Sequence, residues 1–158
     1  MEQMKESIIR LERISLESLD FTKKAQVLQR ISIPPKLLRF DVTVETLTDT
    51  TVQSRCDISV LSEQNQEDDF EIHLSYLIIA SISDISQKEA LEKFAKFGAP
   101  FNALVYARDL IANITSRAFG QPAMLPLLDI RQLGESINII SKASPQNPPE
   151  SGTPPSVE

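Results

Sequence analysis

The alternation of apolar and polar side chains begins on a run whose phase shifts twice. Residues 7 to 22, SIIRLERISLESLDFT, alternate as a strand does, but the apolar set passes from Ile9 and Leu11 to Ile14 and Leu16, then to Leu19 and Phe21. Bulges, or a strand that faces two surroundings, account for such shifts. The following KKAQVLQRISIPP has no clear period and ends on Pro34 and Pro35, so it reads as a crossover loop rather than a hairpin; it carries Val27, Leu28, Ile31 and Ile33. From 37 to 47, Leu38, Phe40, Val42 and Val44 share one face and Arg39, Asp41, Thr43 and Glu45 the other, the pattern of a half-buried strand. A third strand places Val52, Cys56, Ile58 and Val60 inward, and a fourth does the same with Phe70, Ile72, Leu74, Tyr76, Ile78 and Ile82. Short polar loops join strands two to four, which predicts an antiparallel meander with one apolar side.

Past residue 85 the period becomes helical. Ser86 and Glu89 form a capping box, Leu91, Phe94 and Ala95 make a stripe, and Gly98 is a terminator. Pro100 then opens a long helix running to about Phe119. After the irregular GQPAMLPLLD, the residues Ile130, Leu133, Ile137 and Ile140 recur at helical spacing behind a cap at Asp129, with Gly134 weakening the helix they predict. The expected fold is α+β: a four-stranded antiparallel sheet packed on a long helix and a C-terminal helix. Residues 1–142 read as one domain. The tail 143–158, ASPQNPPESGTPPSVE without its first residues' helix spacing, is rich in Pro and Ser and reads as disordered.

The long helix, PFNALVYARDLIANITSRAF, is unusual in its faces. At about 100° per residue, Asn102, Asp109, Asn113, Ser116 and Arg117 gather within roughly a third of the circumference, and nearly all the remainder is apolar. A sheet covers only part of that remainder, so a second partner is implied, most simply another subunit. Leu104, Arg108, Leu110, Ile111 and Thr115 are the expected subunit contacts. Arg108 and Thr115 fall together inside the apolar region, and a buried guanidinium needs a carboxylate or several carbonyls, from its own subunit or from another.

Composition narrows the function. The 158 residues carry a net charge of −6 with a pI of about 4.9, which supplies no basic footprint for nucleic acid. The single cysteine, Cys56, makes no internal disulfide, no secretory leader pattern is present, and the longest apolar run, YLIIA, falls far short of the roughly 20 residues that span a bilayer. A cytoplasmic chain without membrane insertion is expected. Catalytic groups are sparse. Cys56 shares its phase with core residues while the one histidine, His73, lies on the polar face of its strand, so a Cys–His dyad is disfavoured. No metal cluster, P-loop or glycine-rich nucleotide fingerprint occurs, and the acidic EDD at 67–69 reads as a solvated turn. Neither an enzyme nor a cofactor is expected.

Four strands followed by a short, a long and a final helix, together with YAR at Tyr106–Arg108, SR at Ser116–Arg117, the preceding Pro100 and the proline-broken PAMLPLLDI, resemble the SecB family of export chaperones. The resemblance covers most of residues 7 to 142 and is sharpest from 100 to 130. It departs at Ala118, where the family often has glycine, and at Phe101, which precedes Asn102 where asparagine directly follows the proline; both mark a distant member. The resemblance implies a homotetramer, a dimer of dimers packed through the long helices. It implies ATP-independent holding of unfolded polypeptide, either preproteins delivered to the SecA motor or, in divergent relatives, an antitoxin of a toxin-antitoxin system. The family's groove is bordered by the crossover loop and the last helix, which correspond here to 23–35 and 123–140. Val27, Leu28, Ile31, Ile33, Met124, Leu125, Leu127, Leu128, Leu133 and Ile137 are thus the expected polypeptide-binding residues. Glu17 and Asp20 are the nearest counterparts of the family's motor-docking acids, with Thr22 standing where an acid is usual. A plain interaction module with one folded partner shares the fold but would need aromatic anchors, which these segments lack.

Overall fold

The computed structural model describes residues 9–28, 31–60, 69–126, 128, 131–132 and 137–142. Strands β1 (Ile9–Lys23), β2 (Leu38–Thr48), β3 (Thr51–Val60) and β4 (Phe70–Ile82) precede helices α1 (Lys88–Lys93) and α2 (Ala99–Phe119), and β5 (Ile137–Lys142) follows. They form one α+β unit whose five-stranded sheet has the order β1-β4-β3-β2-β5. The meander β2–β3–β4 is antiparallel, as its alternation and short loops dictate, and β1 joins it antiparallel to β4. Since β1 and β2 do not pair, residues 24–37 must cross the end of the sheet.

Two bulges resolve the shifting phase of β1. Leu11 and Arg13 pair with the adjacent residues Ala80 and Ile79, and Leu16 and Ser18 with Tyr76 and Ser75, so Glu12 and Glu17 are each one residue too many. Each extra residue restores the phase. Ile9, Leu11, Ile14, Leu16, Leu19 and Phe21 all come to lie opposite inward-facing residues of β4, from Ile82 to Ile72.

That inward face carries the core: Phe40, Val42, Cys56, Ile58, Ile72 and Ile78 from the sheet meet Ala103, Ala107, Ile111 and Thr115 from α2, all buried. The helix stripe of small residues lets α2 approach the sheet closely. Helical backbone does not stop at Gly98. It passes from α1 through a wide π-helical turn, Phe94–Gly98, into α2, with Gly98 at φ −71° and ψ −43°. The glycine serves proximity instead of termination: a Cβ there would meet Phe94 Cδ2 at 2.5 Å. The true terminator is Gly120, in the left-handed conformation at φ 78° with its N–H donating to Ser116 O. At the other end, the cap lies two residues before Ser86: the Asp84 carboxylate accepts from Ser86 N at 3.0 Å and starts a 3-10 turn, Ile85–Gln87, ahead of α1.

The expectation of a C-terminal helix spanning Ile130–Ile140 is corrected. Arg131 and Gln132 have helical backbone, but Ile137–Lys142 is a strand parallel to β2, which makes the sheet mixed and five-stranded. Ile137 and Ile139 sit opposite Phe40 and Val42 with Asn138 between them. Ile137 and Ile139 satisfy a period of two as readily as Ile137 and Ile140 continue the helical spacing from Ile130, and the open edge of β2 selects the strand. Leu133, Gly134 and the tail 143–158 lie outside the described residues.

Candidate functional site

Leu28 and residues 31–33 lie against residues 121–124. Ile33 N donates to Met124 O at 2.9 Å and Met124 N donates to Ile31 O at 2.6 Å, a short parallel bridge. Gln121 Nε2 donates to Leu28 O at 3.0 Å. From α2, Arg108 Nε donates to Leu125 O at 3.3 Å, a backbone partner within its own subunit. Thr115 completes the attachment. Its hydroxyl donates to Ile111 O and accepts from Ala123 N, each at 2.7 Å. The two segments thus form one layer pinned to α2 by an arginine and a threonine.

Within that layer the expected binding residues divide. Leu28, Ile33, Leu125 and Leu128 are buried in the subunit's own core, because the hydrogen bonds above draw the two segments inward. Val27 and Ile31 are 66% and 54% exposed, and Met124 is half-buried. Ile137 is half-buried on β5. Leu127 and Leu133 lie outside the described residues.

The long helix divides in the same way. Leu104, Ile111 and Thr115 are buried within their own subunit, while Leu110 and Arg108 are half-buried at the helix flanks. Solvent meets different side chains: Phe101, Val105 and Tyr106 are exposed, the last two to about one half. Reading the sequence by its polar stripe missed these three, although Phe101 and Val105 stand one turn apart and could have been found as a second apolar ridge. Beside them opens a small cleft of about 140 Å³ between α2 and the 121–128 segment, walled by Phe101, Val105, Arg108, Pro126 and Leu128.

The inward face of β1 adds to the exposed apolar area. Leu11, Leu16 and Leu19 point to the helix side of the sheet, yet each is more than two-fifths exposed. Glu17 and Asp20 are exposed, Glu17 within the second bulge, where its carboxylate accepts from Ser15 Oγ at 2.8 Å, and Asp20 opposite His73. Such scattered aliphatic surface suits binding of variable apolar segments better than recognition of one small molecule.

Cys56 and His73 do not meet. Cys56 is fully buried on the inward face, and burial, assisted by Asp57, pushes its thiol up to about 12. His73 stands on the outer face with Nδ1 hydrogen-bonded to Ser59 Oγ at 2.8 Å. A thiol so strongly protonated, on the face opposite the one His73 occupies, is not poised as a nucleophile. Among the described residues no group of three or more His, Cys, Asp or Glu side chains converges as a metal site, and no helix is long and apolar enough to cross a membrane. The EDD run contributes only Asp69 to the described residues; its carbonyl accepts from Lys24 N and Ala25 N, which anchors the start of the crossover.

No family model matches the chain, and comparison with curated proteins finds no significant match. Among solved structures, the chain is similar to the Mycobacterium tuberculosis Rv1957 SecB-like chaperone in complex with a ChAD peptide from the Rv1956 HigA1 antitoxin. The TM-score is 0.56 at 17% identity, over 77% of this chain and 91% of that one. The chain therefore has the fold of a SecB-like chaperone.

Proposed function

We propose that the protein is an ATP-independent chaperone that holds non-native polypeptide. The observation behind this reading is the exposure of apolar side chains on three elements of a SecB-like fold: Val27 and Ile31 on the crossover, Phe101 and Val105 on α2, and Leu11, Leu16 and Leu19 on β1. A monomer rarely leaves so much apolar surface open without a partner for it. Part of the surface serves assembly into a homotetramer, a dimer of dimers, with Phe101, Val105 and Tyr106 on the contact face and Leu110 and Arg108 at its margin. The rest, centred on Val27, Ile31 and Met124, serves clients; Leu127 and Leu133, outside the described residues, are assigned to it by the family resemblance alone, and Ile137 on β5 borders it. The buried Leu28, Ile33, Leu125 and Leu128 shape its floor, as Leu104, Ile111 and Thr115 do for the contact face.

For the client, preproteins passed to the SecA motor in the cytoplasm are the first reading, with Glu17 and Asp20 as the docking acids. An antitoxin client is the second, and one observation favours it: the chaperone of like fold was solved holding an antitoxin peptide. Light scattering with and without a carboxymethylated, permanently unfolded protein tests the core of the proposal. A tetramer that takes up the unfolded protein and ignores its native form is expected; a monomer with no such preference would refute it. Titration with purified SecA, before and after Glu17→Ala and Asp20→Ala, then tests the motor.

A further inference from the structure

The weakest-seated strand of the sheet is β5. Among the described residues it is the last strand at one edge, paired to β2 alone and parallel to it where the other strand pairs of the sheet are antiparallel. Parallel pairing is slightly less stable per residue. None of Ile137, Asn138, Ile139 and Ile140 is buried, and Ile140 is close to half exposed. The side-chain tie to the neighbouring strand is slight: Asn138 Nδ2 donates to Asp41 Oδ1 at 3.3 Å on the exposed face. On the inward face, a cleft of about 480 Å³ lies among Ile139 of β5, Phe97 of the π turn and Glu89, Glu92, Lys93 and Lys96 around α1. Helix α1 therefore does not clamp β5 from above.

Beside β5 in the sheet, β2 has the opposite character. The β2 residues that face Ile137 and Ile139, namely Phe40 and Val42, are fully buried, and β2 is firmly held by β3 on its other side. Were β5 to leave, β2 would present a straight row of free N–H and C=O groups beside an apolar floor. Such an edge binds extended polypeptide by strand addition: main-chain hydrogen bonds give affinity without regard to sequence, and every second side chain meets the apolar floor.

We propose that β5 is an internal placeholder for client, and that an extended segment of non-native polypeptide with apolar residues at alternate positions displaces it and pairs with β2. The inference rests on the chaperone reading above. Backbone pairing explains how one edge accepts many sequences, and the cleft beside Phe97 accommodates side chains bulkier than Ile139.

Thr43 and Ile140 are direct partners across β2 and β5, and both reach solvent to some degree. The double variant Thr43→Cys, Ile140→Cys places two thiols on adjacent strands, within the reach of a disulfide, while the native Cys56 is buried. Affinity for a fluorescently labelled, carboxymethylated unfolded protein is measured on this full chain, oxidised and reduced. The locked form is expected to bind at least about tenfold more weakly than the reduced form, and the reduced form like the wild type, as a shift of 1.4 kcal/mol per tenfold requires. Equal binding by locked and reduced forms, with wild type binding normally, would overturn the placeholder and leave the chaperone reading standing. No binding by the wild type would overturn both. As a second arm, Ile139→Lys unseats β5 and is expected to tighten client binding severalfold; weaker binding would mean that β5 is itself a client contact and would overturn the inference.

Discussion

Thr115 offers a sharp test of how the surface layer is attached. Its hydroxyl is fully buried and acts twice, donating to Ile111 O in its own helix and accepting from Ala123 N across the Gly120 turn. Back-bonding of a threonine to its own helix contributes little by itself. The bond to Ala123, itself fully buried, is the one with energetic weight. Thr115→Val keeps the shape and removes the acceptor, so the Ala123 N–H is stranded away from water at a cost of about 1–3 kcal/mol. Thr115→Ser keeps the acceptor and loses one methyl, about 1 kcal/mol. The two costs overlap in a denaturation midpoint but separate in hydrogen exchange. Under the valine substitution the Ala123 amide should exchange about 5- to 150-fold faster, because each 1.4 kcal/mol is a factor of ten, and the neighbouring bridge at Met124 should loosen with it. Serine should preserve the protection at Ala123. A valine variant whose Ala123 amide exchanges as slowly as wild type would refute the attachment described here.

Three further expectations follow from the same packing. Ile111→Asp places an unpaired charge in the core and should abolish folding as seen by circular dichroism, whereas Val105→Asp, on the solvent side of α2, should leave the fold intact and reduce the assembly size measured by light scattering. Gly120→Ala meets nothing in space and should cost about 1–2 kcal/mol in a denaturant titration through its left-handed backbone alone, with Gly120→Asn costing less. For Cys56 the folded thiol is raised from 9.0 to about 12, so its contribution to stability is complete below pH 9 and is lost as pH rises toward 12, at up to about 1.4 kcal/mol per pH unit. Cys56→Ala should flatten the alkaline slope of stability, the contribution of Tyr76, raised by burial in the same direction, remaining.

The sheet was legible because alternation is a local property. The large inward residues of β2, β3 and β4 could be named from spacing, though not the small Ser54 and Ala80 on the same buried faces, and the broken phase of β1 pointed to bulges. Helices were less so. Gly98 and Pro100 together look like a stop and a start, yet a π turn carries the backbone through them, and only the contact between Phe94 and Gly98 reveals why glycine is there. The INII segment was misread because its isoleucines fit both periods, and the deciding factor, an unpaired edge on β2 far away in sequence, has no local signature. At the candidate site, apolar residues in loops such as Leu28 and Leu125 gave no sign of which would be drawn inside. Burial there depends on Arg108 and Thr115, whose partners are backbone atoms that no side-chain pattern encodes.

The two bulges of β1 make the strand a regular one with insertions. Remove Glu12 and Glu17 and what remains, IRL, RISL, SLDFTK, alternates without interruption. Both inserted residues are glutamates on a strand whose far side pairs with no other strand of the sheet. Deleting either one would therefore leave every inward residue inward while straightening the outermost strand and removing one of its acidic side chains. The folded subunit would lose almost nothing, but its border would become a uniform template on which further copies could add without limit. The glutamates act as punctuation: they leave the meaning of the strand unchanged and decide where the sheet stops.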